Sequence, residues 1–306
     1  MSDMREPAAI LIDWGTTNFR AWLISGADDI LDRCEAPSGI MQVPAGGFPH
    51  TLGTHVGNWR AAHHGLPVLM SGMIGSKQGW AEAPYAPCPA GIEELAKAVI
   101  PVPDEDAVFI VPGISYKAPD GRHDVMRGEE VQIFGSLAQD AKGRQVFCLP
   151  GTHSKWAAVE NGQVVWFATA MTGEVWSVMS EHSILGRLME GGTMDDKDAF
   201  RQGLVLSGKP GGLLNHLFSV RAEGLFDVIP ASGLRSYLSG ILIGHEVRAM
   251  LPLARPDGLV TLIGRPDVTE LYSAVIASLE TATAAITAET ATLRGLTHIQ
   301  EAMKHD

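Results

Sequence analysis

An α/β protein built from two similar halves is what the sequence predicts, and three observations predict it. The string Ile10-Leu-Ile-Asp-Trp-Gly-Thr-Thr-Asn-Phe-Arg-Ala-Trp22 returns 136 positions later as Val146-Phe-Cys-Leu-Pro-Gly-Thr-His-Ser-Lys-Trp-Ala-Ala158. Gly15-Thr16 falls on Gly151-Thr152, Asn18 on Ser154 and Ala21 on Ala157. Each copy reads as an apolar strand, a Gly-Thr turn and a second strand, and short apolar runs then alternate with segments of helical length. The 306 residues are enough for two medium-sized domains, and the repeat halves the chain.

In the first copy Ser25-Gly-Ala-Asp-Asp29 turns the chain into a further strand at Ile30-Leu-Asp-Arg-Cys-Glu35. In the second, Glu160-Asn-Gly162 signals a hairpin into Gln163-Val-Val-Trp-Phe-Ala168, since Asn-Gly tolerates the positive φ angles of a two-residue turn. Residues 51–64 predict a helix ending at Gly65, and Pro67-Val-Leu-Met70 a buried strand opening into the glycine-rich loop Ser71-Gly-Met-Ile-Gly-Ser-Lys-Gln-Gly-Trp80. Residues 82–89 hold too much proline for regular structure. A helix is expected over 91–99 and a strand over 107–111. A further helix is expected over 124–138, capped by Asp124, with Val125, Ile133, Phe134 and Leu137 on one side. Its Gly128, Gly135 and Ser136 leave room for a second helix, supplied by 288–303 with Gly295 in its middle, and the pair is expected to form a hinge. Leu259-Val-Thr-Leu-Ile-Gly264 reads as a buried strand, followed by a helix capped by Asp267 and running to Leu279. The expected domains are 1–137 and 138–306, the first carrying the first turn and the second carrying the second.

Glycine lets backbone N–H groups come close to an anion and threonine hydroxyls add donors, so each Gly-Thr turn is a candidate phosphate cradle. Two cradles facing a shared cleft suit the phosphates of one nucleotide. Asp13 stands before the first turn where Leu149 stands before the second. A lone carboxylate there suits Mg2+ held largely through water, or else it caps the turn.

Composition narrows the rest. The chain is 45% hydrophobic and 19% charged, with a formal net charge of −12. Nucleic acid and anionic membranes both need a basic face, so neither is expected as a partner. No apolar run reaches the ~20 residues of a membrane span, and the N-terminus lacks a secretory signal. Three cysteines with no CxxC spacing fit reduced thiols and a cytoplasmic location. The apolar stretch Leu213–Val220 reads as core or interface, which leaves a homodimer open.

Asp13-Trp-Gly-Thr-Thr17, the segment beginning at Asp124, Gly151-Thr152, the strand ending at Gly264 and the helix with Gly295 occur in the order seen in sugar kinases of the actin/hexokinase/heat-shock-70 superfamily. Within it the chain closely resembles the 2-dehydro-3-deoxygalactonokinase family, through residues 13–18, 71–80, Asp124-Val-Met-Arg-Gly-Glu-Glu130, Leu149-Pro-Gly-Thr-His-Ser-Lys-Trp156, Met171-Thr-Gly-Glu174 and Tyr237-Leu-Ser-Gly-Ile-Leu-Ile-Gly244. The resemblance implies two ribonuclease-H-like domains with ATP in the cleft, Mg2+, and transfer of the γ-phosphate to the terminal hydroxyl of 2-dehydro-3-deoxy-D-galactonate. It puts Gly15, Thr16, Thr17, Asn18, Gly151, Thr152, His153, Ser154, Lys155 and Gly264 at the nucleotide and Asp13 at the metal. Related kinases carry an aspartate at the start of the helix before the second cradle. That implies Asp124 as the base, with Glu129 and Glu130 as rivals because the spacing to Phe134-Gly135 departs from the family's. For the acid substrate the candidates are Arg127 and Lys77 for its carboxylate, with Arg20, Ser71, Gly72, Met73 and Trp80 nearby; Lys77 reads equally as a surface ion pair, and Arg20 as a strand residue turned away.

Three other features point elsewhere on their face. Gly203-Leu-Val-Leu-Ser-Gly-Lys-Pro210 nearly spells a P-loop, but Pro210 replaces the metal-binding hydroxyl. His50, His55, His63 and His64 lack partners at metal-ligand spacing and read as a solvated helix. Trp156 and Trp176 read as core aromatics.

Overall fold

The computed structural model describes residues 6–27, 29–138, 143–191 and 195–304. By internal contacts these form two units, one of residues 1–142, 159–166 and 288–306, the other of 143–158 and 167–287.

The first unit opens with β1 (Pro7–Trp14), β2 (Phe19–Ser25) and β3 (Ile30–Ala36), then α1 (Phe48–Ala62), β4 (Val68–Ser71), β5 (Tyr85–Pro87) and α2 (Ile92–Lys97). It continues through β6 (Ile100–Pro101), β7 (Val108–Ile110), β8 (Gly113–Lys117), β9 (His123–Met126) and α3 (Glu129–Gly135). One sheet has the order β3-β2-β1-β4-β7-β6, and a smaller one has the order β5-β8-β9. β1 pairs antiparallel with β2 and parallel with β4, which pairs parallel with β7. As the centre of the sheet β1 is apolar on both faces, with Ala9 through Ile12 fully buried, whereas edge strand β3 is mostly exposed.

The second unit holds β10 (Gln145–Leu149), β11 (Ser154–Glu160), β12 (Gln163–Ala170), α4 (Thr172–His182), α5 (Lys197–Ser207), α6 (Gly212–Leu225), α7 (Leu234–Ala254), β13 (Leu259–Ile263), α8 (Pro266–Ala277) and β14 (Ala282–Ile286); the tip of the β11–β12 hairpin groups with the first unit. Its sheet has the order β12-β11-β10-β13-β14, with β10, β13 and β14 parallel. That repeats the plan β3-β2-β1-β4-β7, so the sequence repeat is a repeat of topology, and the architecture is the duplicated ribonuclease-H-like arrangement of the actin-like fold. Asn161 and Gly162 both take positive φ, as the expected hairpin turn requires.

The last helix, α9 (Ala288–Met303), was assigned by chain order to the second half, yet its contacts place it in the first unit. It crosses α3 where both helices carry glycine. A Cβ on Gly135 would overlap the carbonyl oxygen of Ala291, and one on Gly295 would overlap that of Val131. The near P-loop is the end of α5: its Gly203 lies against the Tyr237 carbonyl and Gly240 against that of Phe200, another glycine-mediated helix crossing.

Three local readings need correction. Residues 124–126 are not helical but belong to β9, where Asp124 stands opposite Tyr116. The chain then breaks at Gly128, whose φ of 102° few other residues accept, and α3 starts only at Glu129. Within the proline-rich 82–89 segment, Tyr85–Pro87 forms a short edge strand on β8. Asp267 sits inside the first turn of α8, and Arg265 takes the cap position before Pro266.

Helix packing makes opposite predictions for two glycines, one in the α3–α9 crossing and one on an open face of α1. Gly135→Ala forces overlap with backbone and is expected to lower the unfolding free energy by about 3 kcal/mol, the upper end of ordinary overpacking costs. Gly53→Ala, at an exposed position on α1 with nothing within 4 Å, is expected to raise it by about 0.5–1 kcal/mol through helix propensity. Urea denaturation of both variants checks the pair.

Candidate active site

In the first unit the Gly15–Asn18 turn closes with Gly15 N–H donating to the Asn18 carbonyl at 2.9 Å. A second segment supports it from below. Gly39 N–H donates to Thr17 O at 3.0 Å, Ile40 N–H to Gly15 O at 3.0 Å and Met41 N–H to Thr16 O at 3.2 Å. A Cβ on Gly39 would overlap the Thr17 backbone, so only glycine fits. With its carbonyls occupied from one side, the turn leaves the Thr16, Thr17 and Asn18 side chains exposed on the other.

Asp13 stands beside that turn at the end of β1, half-buried and in register with Arg20 on β2 and Ser71 on β4. Arg20 does not turn away from it: Nη1 is 3.5 Å from Asp13 Oδ2, while Nε bonds Glu35 at 3.1 Å. Burial pushes the Asp13 carboxyl up despite the Arg20 guanidinium, and the nearby Glu129 charge adds to the rise. Two carboxylates feeling one another beside a phosphate-type turn form an arrangement that a divalent cation would relieve. The donor set fits Mg2+, which needs few protein ligands.

The start of α3 reaches Asp13 through two glycines. Gly72, with φ of 93°, approaches so closely that a Cβ there would lie 3.3 Å from Asp13 Oδ1 and 2.9 Å from Trp14 O. A Cβ on Gly128 would lie 3.3 Å from Gly72 Cα. Beyond Gly128, Glu130 is fully buried, both its oxygens accept from Gly128 N–H at 2.8 Å, and burial together with Glu129 pushes its carboxyl up to about 8. Glu129 is only half-buried and accepts from Arg127 N–H at 3.0 Å.

Arg127 is buried, its guanidinium 4.3 Å over the Tyr85 ring, with Nη2 donating to Ala83 O at 2.7 Å. Its Nε and Nη1 are buried with no hydrogen-bond partner among the described residues. Ser71 is buried, Met73 begins a 3₁₀ turn against the core, and Lys77 is exposed. Trp80 stacks on Phe48 at 6.1 Å and meets Trp14 edge-on, so it belongs to a core aromatic cluster. Asp124, expected at a helix start, instead sits in β9 with its own carboxylate on Val125 N–H; the strand pairing there displaces the helix on which its assignment rested.

In the second unit the turn at Gly151-Thr152 is backed in the same manner. A Cβ on Gly173 would overlap Gly151 O, and Glu174 N–H donates to Thr152 O at 3.0 Å. The Glu174 carboxylate also meets the exposed His153 ring. Ser154 and Lys155 are both buried, and Ser154 turns inward to Tyr272, 3.0 Å away. Beside this turn lies a cavity of about 310 Å³ lined by Gly151, Thr152, Trp176, Leu242, Arg265, Val268 and Tyr272 among others. Its mostly apolar wall and polar turn at one end match a planar apolar group carrying phosphates. Gly264 lies next to it, 3.7 Å from Pro150 O as measured from an added Cβ. Sequence reasoning missed Gly39 and did not assign Gly173 to the site; the only local signal was their placement in Pro37-Ser-Gly39 and Met171-Thr-Gly173.

The Glu130 carboxyl gives a pH signature. Folded it titrates near 8 against 4.5 ordinarily, so between those values the folded state keeps a proton that the unfolded chain has lost. Stability should therefore fall as pH rises through that window and level off above it. Glu130→Gln is expected to flatten the decline, measured by urea denaturation at pH 5.5, 7 and 8.5; an equally steep decline in the variant would contradict the assignment.

Comparison with known proteins identifies the family. A family model described as 2-keto-3-deoxy-galactonokinase matches residues 13–299. A probable 2-dehydro-3-deoxygalactonokinase of Rhizobium meliloti strain 1021 is 35% identical over 93% of this chain and 94% of its own. The 2-dehydro-3-deoxygalactonokinase of Escherichia coli K12 is 32% identical over 96% and 98%. The crystal structure of a Sinorhizobium meliloti protein assigned to the same activity superposes with a TM-score of 0.89, at 32% identity over 96% of this chain and 99% of that one. With two glycine-backed turns, an adjoining carboxylate site and similarity along almost its whole length, the chain belongs to the 2-keto-3-deoxy-galactonokinase family.

Proposed function

We propose that this protein is an ATP- and Mg2+-dependent kinase that phosphorylates 2-dehydro-3-deoxy-D-galactonate at its terminal hydroxyl, giving the 6-phosphate. The observation that carries the reading is the family match over residues 13–299, and the two backed turns give it a physical basis. In this reading the second unit takes the nucleotide: the adenine ring enters the cavity beside Trp176 and Tyr272, and the Gly151-Thr152 turn takes phosphate. The first unit takes the sugar acid and contributes Gly15, Thr16 and Asn18 to phosphate and Asp13 to the metal. No helix among the described residues is long and apolar enough to cross a membrane, and a cytoplasmic enzyme fits the reduced thiols.

Phosphoryl transfer needs positioning and charge compensation, plus a group to receive the hydroxyl proton as oxygen attacks the γ-phosphorus and ADP leaves. We assign that proton to Glu129 rather than Asp124. Glu129 is partly accessible and near enough to Asp13 to be felt there. Glu130 is sealed and protonated at neutral pH. The sugar-acid carboxylate we assign to Arg127, whose buried Nε and Nη1 lack a partner among the described residues and would gain one from a carboxylate.

ADP release with Mg-ATP is expected to be stimulated strongly by 2-dehydro-3-deoxygalactonate and weakly by its gluconate epimer, galactonate or galactose. Glu129→Gln is expected to lower kcat by about 100-fold or more, the ordinary contribution of a positioned base, with Asp124→Asn near wild type. The reverse ranking would return the base to Asp124. Arg127→Lys is expected to raise the sugar-acid KM by about tenfold, the equivalent of 1.4 kcal/mol of lost bidentate contact, with the ATP KM unchanged; an unaltered sugar-acid KM would move the role to Lys77. ADP release that no sugar acid changes would favour a nucleotide-hydrolysing regulator instead.

A further inference from the structure

One buried acidic group in the second unit has no part in the chemistry above. Glu246 projects from the middle of α7, where it is the one acidic residue, and it is 6% exposed. Its Oε1 accepts from Trp156 Nε1 at 2.8 Å and its Oε2 from the Tyr272 hydroxyl at 2.6 Å. The hydroxyls of Thr172 and Ser154 also bond it, and Ser154 lies 3.0 Å from Tyr272 Oη. Four elements thus meet on one carboxylate: β11, the first turn of α4, α8 and α7.

The helices α4, α7 and α8 line the cavity beside the second turn, and β11 follows that turn directly. Ser154 follows the Gly151-Thr152 turn after a single intervening residue. Thr172 precedes Gly173 and Glu174, which support that turn from behind. The Tyr272 ring forms part of the cavity wall while its hydroxyl faces inward to Glu246. A carboxylate accepting several hydrogen bonds fixes the groups that donate them, and removing it leaves buried donors unpaired. Burial raises the carboxyl's pKa while the four donors oppose the rise, which is the signature of a group kept inside for what it binds.

We infer that Glu246 is a positioning residue for the nucleotide: by clamping Ser154, Trp156, Thr172 and Tyr272 it fixes the second phosphate turn and the aromatic wall beside it. The inference rests on the kinase reading and adds to it a group that touches neither substrate. It separates from a merely structural role because the clamp acts on one ligand and not on the other.

The test is calorimetric titration with ADP, together with the sugar-acid KM at saturating Mg-ATP, for wild type, Glu246→Leu, Glu246→Gln and Tyr272→Phe. Glu246→Leu orphans the Trp156 donor and is expected to weaken ADP binding by about tenfold or more, as losing one buried partner does. Glu246→Gln keeps an acceptor for Trp156 and a donor for the hydroxyls, and should stay within about threefold of wild type. Tyr272→Phe keeps the ring and removes one arm of the clamp, so a loss of about three- to tenfold is expected, and it serves if the leucine variant does not fold. The sugar-acid KM should be unchanged throughout. ADP affinity within twofold of wild type in folded Glu246→Leu or in Tyr272→Phe would overturn the inference, as would equal losses for both ligands. Absence of ADP binding by the wild type is a different result, which overturns the kinase reading and the inference with it.

Discussion

Each Gly-Thr turn keeps its shape because a second glycine, far away in sequence, lies directly beneath it. Gly39 gives its N–H to Thr17 and has no room for a side chain; at the second turn Gly173 lies against Gly151 with no room for a side chain, and the next residue, Glu174, gives its N–H to Thr152. A turn that must offer N–H groups to an anion cannot also wrap around a side chain at its back, so its carbonyls are held by backbone from an adjoining segment. The geometry around both candidate sites follows from this. Segment 37–41 is fixed against the first turn, and the start of α4 is fixed against the second. The same device recurs where helices meet, at Gly135 and Gly295 and again at Gly203 and Gly240. In this chain glycine is the means by which backbone meets backbone.

Charge in the first unit is arranged around Asp13. The strand register brings Arg20 to it from one side, and Gly72 and Gly128 allow the start of α3 to approach from the other. The result is a half-buried carboxylate facing both a guanidinium and Glu129, with Glu130 sealed behind. Such a site is costly when empty of cations, because like charges in a poorly solvated place oppose each other. Mg2+ with phosphate would supply the compensation. The second unit contains the contrasting case, a buried carboxylate at Glu246 whose charge is met by hydrogen-bond donors alone.

Much of this was legible in the sequence, for physical reasons that also mark where legibility ended. The repeat was visible because a Gly-Thr turn between two apolar strands is a local pattern, and the strand order of both sheets bears it out. Asn161-Gly162 announced its hairpin because its φ angles are set within two residues. The α3–α9 crossing was legible from Gly135 and Gly295, since small residues at helical spacing have few other uses. The start of α3 was not. Val125 has the spacing of a helix face, and only the pairing of β9 with β8 and the positive φ at Gly128 make it a strand residue, 45% exposed. With it went the helix start on which the choice of Asp124 as the base rested. Gly39 was invisible because its partner lies 22 residues away and no local pattern encodes the contact. Glu246 did leave a trace, the one acid in α7, whose meaning depends on donors from three other elements.

The central claim is transfer of phosphate to a sugar acid and not hydrolysis of ATP alone, and the direct measurement is ³¹P NMR of the products formed from Mg-ATP and 2-dehydro-3-deoxygalactonate. A new phosphomonoester resonance split by two methylene protons, rising as ADP rises, is the predicted result, since the terminal hydroxyl sits on a CH₂ group. ADP accompanied only by inorganic phosphate would contradict the account.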